Sequence, residues 1–424
     1  MQLFSRKSMG FLVLFLLFIP FSFVCQAAEP IIIGVPTSLG FLEGAEGLNS
    51  VNLAVEEINA KGGVTIKGVK HPLKVEAIDI RDAAPGVPVP EALLGIEKLI
   101  LEKKIKAIVL APFRSEALLA SMDIISKYKV PMLATTAMSP DYSKKILESP
   151  EKYKYCFRVC LDAPYLVGYL KGGMEFVNKE FGFKKVFIMH QDVAWARATG
   201  NAMAGILKNA GWEVLGQEAY PTGAGDFSAG LMKTRQSGAQ VILPIFDMPQ
   251  SGTLVKQWNT MKIPALLVGF ISPLAGPGAW KTFDRKIDGA MNAIFEVGNV
   301  PVKKIPKSVA FYEAYKKRYN KEIEAGHCPA PAYDSVYILA EAIEKAGSID
   351  PDAVTAAIEK TDRQGAIGRI RFGKNHQVIF GNDPKETAMA CIIQWSKNGA
   401  RDIVFPESVA EAKIHLPEGL KSAK

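Results

Sequence analysis

Residues 31–63 read IIIGVPTSLGFLEGAEGLNSVNLAVEEINAKGG, and the hydrophobic period changes part-way along. Residues 31–35 form a short β-branched run, the signature of a strand buried on both faces. Residues 36–47 are rich in glycine and small side chains and read as a loop. From Leu48 onward, Val51, Ala54, Val55 and Ile58 fall on one face of a helix. Gly62 and Gly63 supply its stop. A strand, a loop at its carboxyl end and a returning helix make one α/β unit. In open α/β sheets the loops at that end are where ligands sit.

The same rhythm repeats along the chain. Strands are expected at residues 73–80, 107–111, 130–134 and 155–160, with helices at 90–102 and 116–128 between them. It then restarts. Helices at 165–181, 196–210, 227–236 and 251–261 alternate with strands at 185–189, 213–219, 240–245 and 265–268. Two successive series imply two similar lobes. After residue 290 the pattern shifts to a strand at 291–295, helices at 308–319, 331–346 and 351–360, and strands at 367–372 and 387–396. Residues 407–424 are polar and read as a loosely held tail.

The 424 residues suffice for two or three domains. A formal charge of +8 is spread over scattered Lys and Arg residues, the pattern of solvated helix faces rather than of a nucleic-acid surface. Arg6 and Lys7, an apolar run at 11–19 and small residues at Cys25 and Ala27 have the order of an export signal over residues 1–27. The run is short for a membrane span, and Pro20 interrupts it. Beyond it lie Cys156, Cys160, Cys328 and Cys391. An exported protein can oxidise such residues. Cys156 and Cys160 would stand roughly 13 Å apart at strand rise, too far for a direct bridge. Any disulfide is therefore long-range, and its pairing stays open.

One stretch points toward catalysis. Residues 222–231, TGAGDFSAGL, resemble the glycine-rich signature of ribokinase-like sugar kinases, whose backbone N–H groups stabilise developing charge and whose Asp acts as base. Tyr220 and Pro221 precede it where an acidic residue belongs, and no matching lid is present. A Gly-rich turn with Asp226 capping the next helix accounts for it better. No P-loop, H-E-x-x-H or G-x-S-x-G occurs. The five histidines are dispersed; His190 at a strand end reads as a packed or hydrogen-bonded residue. Without convergent acid, base and nucleophile, binding is favoured over catalysis, and no cofactor or metal is expected.

The order of motifs resembles the solute-binding proteins of ABC transporters for branched-chain amino acids. The stretch NLAVEEINAKGGV follows the first strand. Ala111-Pro112-Phe113-Arg114-Ser115 stands where that family has Gly-Pro-Leu-x-Ser. Thr136-Ala137-Met138-Ser139-Pro140 resembles its Ala-Ala-Thr-x-Pro loop. Tyr220-Pro221 through Asp226-Phe227-Ser228 and Ala332-Tyr333-Asp334-Ser335-Val336-Tyr337 resemble two further family segments.

The resemblance implies two doubly wound parallel-sheet lobes, the type I periplasmic binding protein fold, joined by three crossovers near 157–162, 295–300 and 361–369. Lobe one would comprise 29–158 with 300–362, and lobe two 159–299 with 363–406. It also implies a periplasmic protein, not an enzyme, that closes on a small organic solute and delivers it to an inner-membrane ABC permease. A ligand-sensing domain for a receptor or regulator is the alternative, and a sugar-kinase-like enzyme a distant third. Carried over residue by residue, Ser115 matches a carboxylate-binding Ser, Thr136 a backbone-binding position, and Trp195 a cleft tyrosine. Met138 replaces the family's Thr, and Gln250 falls where its ammonium-binding Glu would stand. Gln cannot stabilise an ammonium as a carboxylate does. With Phe41, Phe113, Met138, Trp195 and Phe246 at strand ends, and Arg114 and Arg197 as carboxylate partners, these departures point to an apolar or aromatic carboxylate, and Thr135 is a further ligand-binding candidate. Asp247 keeps an amino-acid-like ligand open.

Overall fold

A computed structural model describes residues 28–424; the expected export signal lies outside the described residues. Two sheets dominate. The first has five parallel strands, in spatial order Leu73–Asp79, Ile31–Thr37, Ala107–Val109, Met132–Ala134 and Cys156–Arg158. The second has seven, in order Arg401–Phe405, Cys391–Trp395, Met291–Ile294, Leu266–Ile271, Val241–Phe246, Lys185–Gln191 and Glu213–Tyr220. The last five of that row run parallel, and the two nearest the chain's end are antiparallel additions.

In both sheets the chain begins at an inner strand, steps outward on one side, then returns past its start to build the other side. That reversal creates a crevice at the carboxyl ends of the two strands flanking it. In the first sheet it lies between Ile31–Thr37 and Ala107–Val109; in the second, between Lys185–Gln191 and Val241–Phe246.

The strand interiors are apolar because helices cover both faces. Val241–Phe246 and Leu266–Ile271 are buried at every position. Pro244 lies inside the first of these and offers no N–H, so the ladder between the two strands skips it. Gly269 faces it: a Cβ there would collide with the Pro244 carbonyl oxygen.

The chain passes between the sheets three times: after Cys156–Arg158, after Met291–Ile294, and before Cys391–Trp395. The helix Pro329–Ala346 packs along Leu42–Ala60 on the first sheet. Two buried side chains tie the crossings together. Arg158, fully buried, donates to Gln377, to the carbonyl of Ser139 at 2.8 Å, and to Asp162 at 3.0 Å. Glu296 accepts from the Leu161 N–H at 2.9 Å and the Cys328 N–H at 3.1 Å.

Two expectations are corrected. The region read as a loop up to residue 47 is already helical, because Leu42–Ala60 begins six residues before Leu48. Its glycines serve close approach rather than flexibility: a Cβ on Gly44 would collide with the Ser38 carbonyl, and one on Gly47 would come 2.6 Å from the Cys328 sulfur. The tail is not loose. Val409 and Ile414 are buried, and His415 exchanges backbone hydrogen bonds with the Gln394 side chain. Among the described residues, Cys156, Cys160, Cys328 and Cys391 are buried free thiols.

Candidate binding cleft between the lobes

The two crevices face each other. From the first sheet come Phe41, which precedes the helix Leu42–Ala60, and Phe113, Arg114 and Ser115, which open the helix Ser115–Tyr128. Leu110 and Ala111 approach that loop with positive φ, 65° and 29°, an uncommon conformation for side-chain-bearing residues and one that gathers at ligand sites. From the second sheet come Trp195, in the helix following Lys185–Gln191, and Asp247, directly after Val241–Phe246.

Arg114 Nη1 lies 2.6 Å from Asp247 Oδ2, and both side chains are buried. Trp195 Nε1 donates to the same oxygen at 2.8 Å. The guanidinium also stacks on the rings of Phe41 and Phe113, at 5.5 and 5.2 Å. Burial works against the Arg114 charge. Asp247, with Asp82 and Glu116 further off, outweighs it and raises the pKa above its ordinary value. The pair is nevertheless incomplete: Arg114 Nη2 and Asp247 Oδ1 are both buried and have no hydrogen-bond partner, and neither has Thr37 Oγ1.

Neighbours fix the geometry. Asp82 accepts from the Arg114 N–H at 2.7 Å and from the Ser38 hydroxyl at 2.8 Å. Gln191, fully buried, accepts from the N–H groups of Asp247 and Met248 at 3.2 and 3.1 Å, and donates to Thr222 at 2.8 Å. Trp195 meets Phe270 and Phe295 edge-on, at 6.3 and 6.1 Å. At the cleft mouth a cavity of about 320 Å³ is lined by Asp82, Pro85, Arg114, Glu116, Val193 and Thr222, residues of both lobes.

Deeper in, Glu43 is fully buried and hydrogen-bonded to the Ser272 hydroxyl across the gap. Burial pushes its pKa up to about 7. Below it His327 sits with Nδ1 3.1 Å from Glu296 and Nε2 2.7 Å from the Thr136 carbonyl oxygen. Both acceptors favour a proton on the facing nitrogen, an arrangement that suits the doubly protonated ring. Burial opposes that charge, but Glu296 prevails and the His327 pKa is raised.

The cleft thus gathers Phe41, Phe113, Arg114, Trp195 and Asp247 of the residues expected from sequence. Ser115 lies beside them, its hydroxyl accepting from the Ser139 N–H at 3.1 Å. Thr136 Oγ1 donates to the Pro112 carbonyl at 3.2 Å. Thr135 is 3.6 Å from the Cys328 sulfur, and Met138 is buried in the core continuing between the lobes. Three residues are not brought in. Phe246 turns into the core of the second lobe against Phe227 and Tyr220. Gln250 is exposed on the short helical turn Pro249–Ser251. Arg197 is exposed and paired with Asp192. Glu43, Gln191, Ser272, Glu296 and His327 were not singled out from sequence.

The kinase-like stretch forms the turn that leads into a helix. Asp226 is exposed and accepts from the Ser228 N–H at 3.0 Å and from Gln257 at 2.7 Å, securing the start of Ser228–Ser237.

The family model described as periplasmic binding protein matches residues 37–391. The chain belongs to the periplasmic binding protein family. Among curated relatives, "Leu/Ile/Val-binding protein homolog 8" of Brucella melitensis is 25% identical over 387 residues, covering 88% of this chain and 89% of the relative. Two solved structures share the fold. The branched-chain amino acid transporter substrate binding protein LivJ of Streptococcus pneumoniae, in complex with isoleucine, has a TM-score of 0.73 at 23% identity, covering 89% of this chain and 100% of its own. A solute binding protein of an ABC transporter from R. palustris, in complex with 4-hydroxybenzoate, has a TM-score of 0.73 at 18% identity, covering 93% and 99%.

Proposed function

We propose that this periplasmic binding protein is the exported solute-binding component of an ABC importer. It takes a small organic carboxylate into the cleft and presents the closed form to a membrane permease. The carrying observation is the incomplete ion pair. Arg114 comes from one lobe and Asp247 from the other, at the two facing crevices, and each keeps one buried polar atom unmatched. A carboxylate placed against Arg114 Nη2 completes a two-pronged contact that guanidinium geometry favours. Phe41, Phe113 and Trp195 supply an aromatic wall for the rest of the solute. Ser115 and the backbone beside Thr136 line the first lobe's side of the same gap. The Arg114–Asp247 bond itself holds the lobes shut, so a solute that shares it is bound by closure.

Lobe one then comprises 29–158 with 300–362, lobe two 159–299 with 363–406, and the buried network around Arg158 and Glu296 is the hinge. Relatives named for leucine, isoleucine and valine and a fold neighbour holding 4-hydroxybenzoate frame the ligand panel. Calorimetric titration of the protein with leucine, isoleucine, valine, benzoate and 4-hydroxybenzoate tests the reading. At least one binds, and Arg114→Ala weakens it by a hundredfold or more. Tight binding that survives Arg114→Ala sinks it.

A further inference from the structure

The second lobe carries a cavity on the edge of its sheet away from the cleft. It holds about 650 Å³ and is walled by five separate stretches of chain: 258–265, Trp280, 285–288, Lys397 and 417–420. The cleft residues stand at the carboxyl ends of the strands, whereas this cavity stands at the amino ends. Ala265 directly precedes Leu266–Ile271, and Asp288 comes just before Met291–Ile294. The six residues of Leu266–Ile271 separate the two edges by roughly 20 Å. An occupant here therefore touches nothing in the cleft.

Cations gather at the rim. Lys262, Arg285, Lys286 and Lys397 all line the cavity and are exposed, and none has an acidic partner among the described residues. Two acids share the lining. Asp288 is taken, its carboxylate lying 2.8 Å from His415 Nε2. Glu418 is exposed on the tail. Four cations thus face one uncommitted carboxylate, and a concave surface of one sign concentrates anions from solution.

The floor is apolar and fixed in advance. Trp258 is buried, and its Nε1 donates to the Ala265 carbonyl at 2.9 Å. Trp280 is half-buried and stacks on the fully buried Trp395, with ring centroids 6.2 Å apart and planes 13° apart. Leu420 closes the tail side, which the His415 N–H anchors to Gln394 at 2.9 Å. A bare inorganic ion would use the rim and leave this floor empty. A solute of the cleft, with a single carboxylate, would match only one of the four cations. A phosphate ester concentrates about two negative charges on one group at neutral pH, and its organic part covers apolar surface.

We propose that this cavity is a second binding site, separate from the cleft, for an organic phosphate: Lys262, Arg285, Lys286 and Lys397 hold the phosphate, and Trp258 and Trp280 bear on the apolar body. The site stands independently of the cleft reading.

Phenyl phosphate is the probe, with inorganic phosphate and phenol as its two halves. Each is titrated calorimetrically into the wild type and into a double variant, Lys262→Asn with Arg285→Asn. Both positions have positive φ, 48° and 61°, which Asn tolerates, and circular dichroism confirms that the variant folds. Phenyl phosphate should bind the wild type at least tenfold tighter than either half does. It should lose at least tenfold in the double variant, which keeps its affinity for the tightest solute of the cleft panel. In Arg114→Ala the phenyl phosphate affinity should stay within twofold. Inorganic phosphate binding as tightly as phenyl phosphate would reveal a counter-ion surface only and overturn the proposal. Loss of phenyl phosphate binding in Arg114→Ala would place the anion in the cleft and also overturn it. If phenyl phosphate fails to bind while phosphatidylglycerol vesicles capture the wild type but not the double variant, the cations serve a membrane surface and the soluble-ligand site is refuted; failure of both probes refutes it equally.

Discussion

Replacing Glu43 by Gln isolates the cost of burying a carboxyl group between two lobes. The side chains have nearly the same shape, and the amide keeps a hydrogen bond to Ser272, so the change acts through the proton. Burial raises the Glu43 pKa from 4.5 to about 7. An acid raised in this way contributes stability fully present below its unfolded pKa and lost as pH rises through its folded one. Wild-type stability therefore falls, on account of Glu43, between pH 4.5 and about 7. The amide of the Glu43→Gln variant has no such dependence, so the variant gains on the wild type across that window and holds its advantage above it. A shift of this size corresponds to about 3 kcal/mol. Spread over an unfolding entropy of ~0.8 kcal/mol/K for a chain of this length, that is ~4 °C in Tm. The assay is calorimetric melting of both ligand-free proteins from pH 5 to pH 9. The Tm difference should widen with pH and level off near pH 8, other titrating groups cancelling between the two proteins. A difference that stays constant across the range would refute the claim that burial raises the Glu43 pKa.

Deleting residues 407–424 removes the buried Val409 and Ile414 and leaves the Gln394 side chain without its His415 partners. A loss of about 3–5 kcal/mol is expected by denaturant titration; an unchanged midpoint would show the tail to be idle. The four thiols are buried, and burial pushes those of Cys156 and Cys391 up to about 12. In protein beginning at residue 28, a thiol reagent at neutral pH should therefore label none of these four within minutes in the native state and all four after denaturation; rapid native labelling would contradict the packing.

Much of this was legible in the sequence, for an identifiable reason. Strands buried on both faces leave β-branched runs, and covering helices leave 3.6-residue stripes, so the two βα series and their order could be read directly. Residues at the carboxyl ends of strands follow from that order, and Arg114, Trp195 and Asp247 are candidates on that ground. What side chains at a strand end do was harder. Phe246 and Asp247 are adjacent, and alternation sends one into the lobe and the other across the gap. Gln250 was placed by aligning short motifs, and one helical turn beyond Asp247 is enough to carry it to the surface. Glu43 was hidden by its glycines: FLEGAEG has a loop's composition, yet Gly44 and Gly47 are small because Ser38 and Cys328 press against them. Its partner Ser272 is 229 positions away, and Glu296 and His327 meet only because two crossings lie side by side. No local period records such contacts. The tail misled similarly, since a few apolar anchors among many charged residues leave little trace in composition.

The central claim is that the solute lies between the lobes, joined to the pair that spans them. A crystal structure of the protein with the tightest probe of the amino-acid and benzoate panel tests it most directly. The account predicts the probe's carboxylate within hydrogen-bonding distance of the Arg114 guanidinium, with Trp195 against its apolar part. A probe seated elsewhere, for example in the cavity of about 650 Å³ beside Trp258 and Trp280 on the second lobe, with Arg114 and Asp247 paired as before, would contradict it.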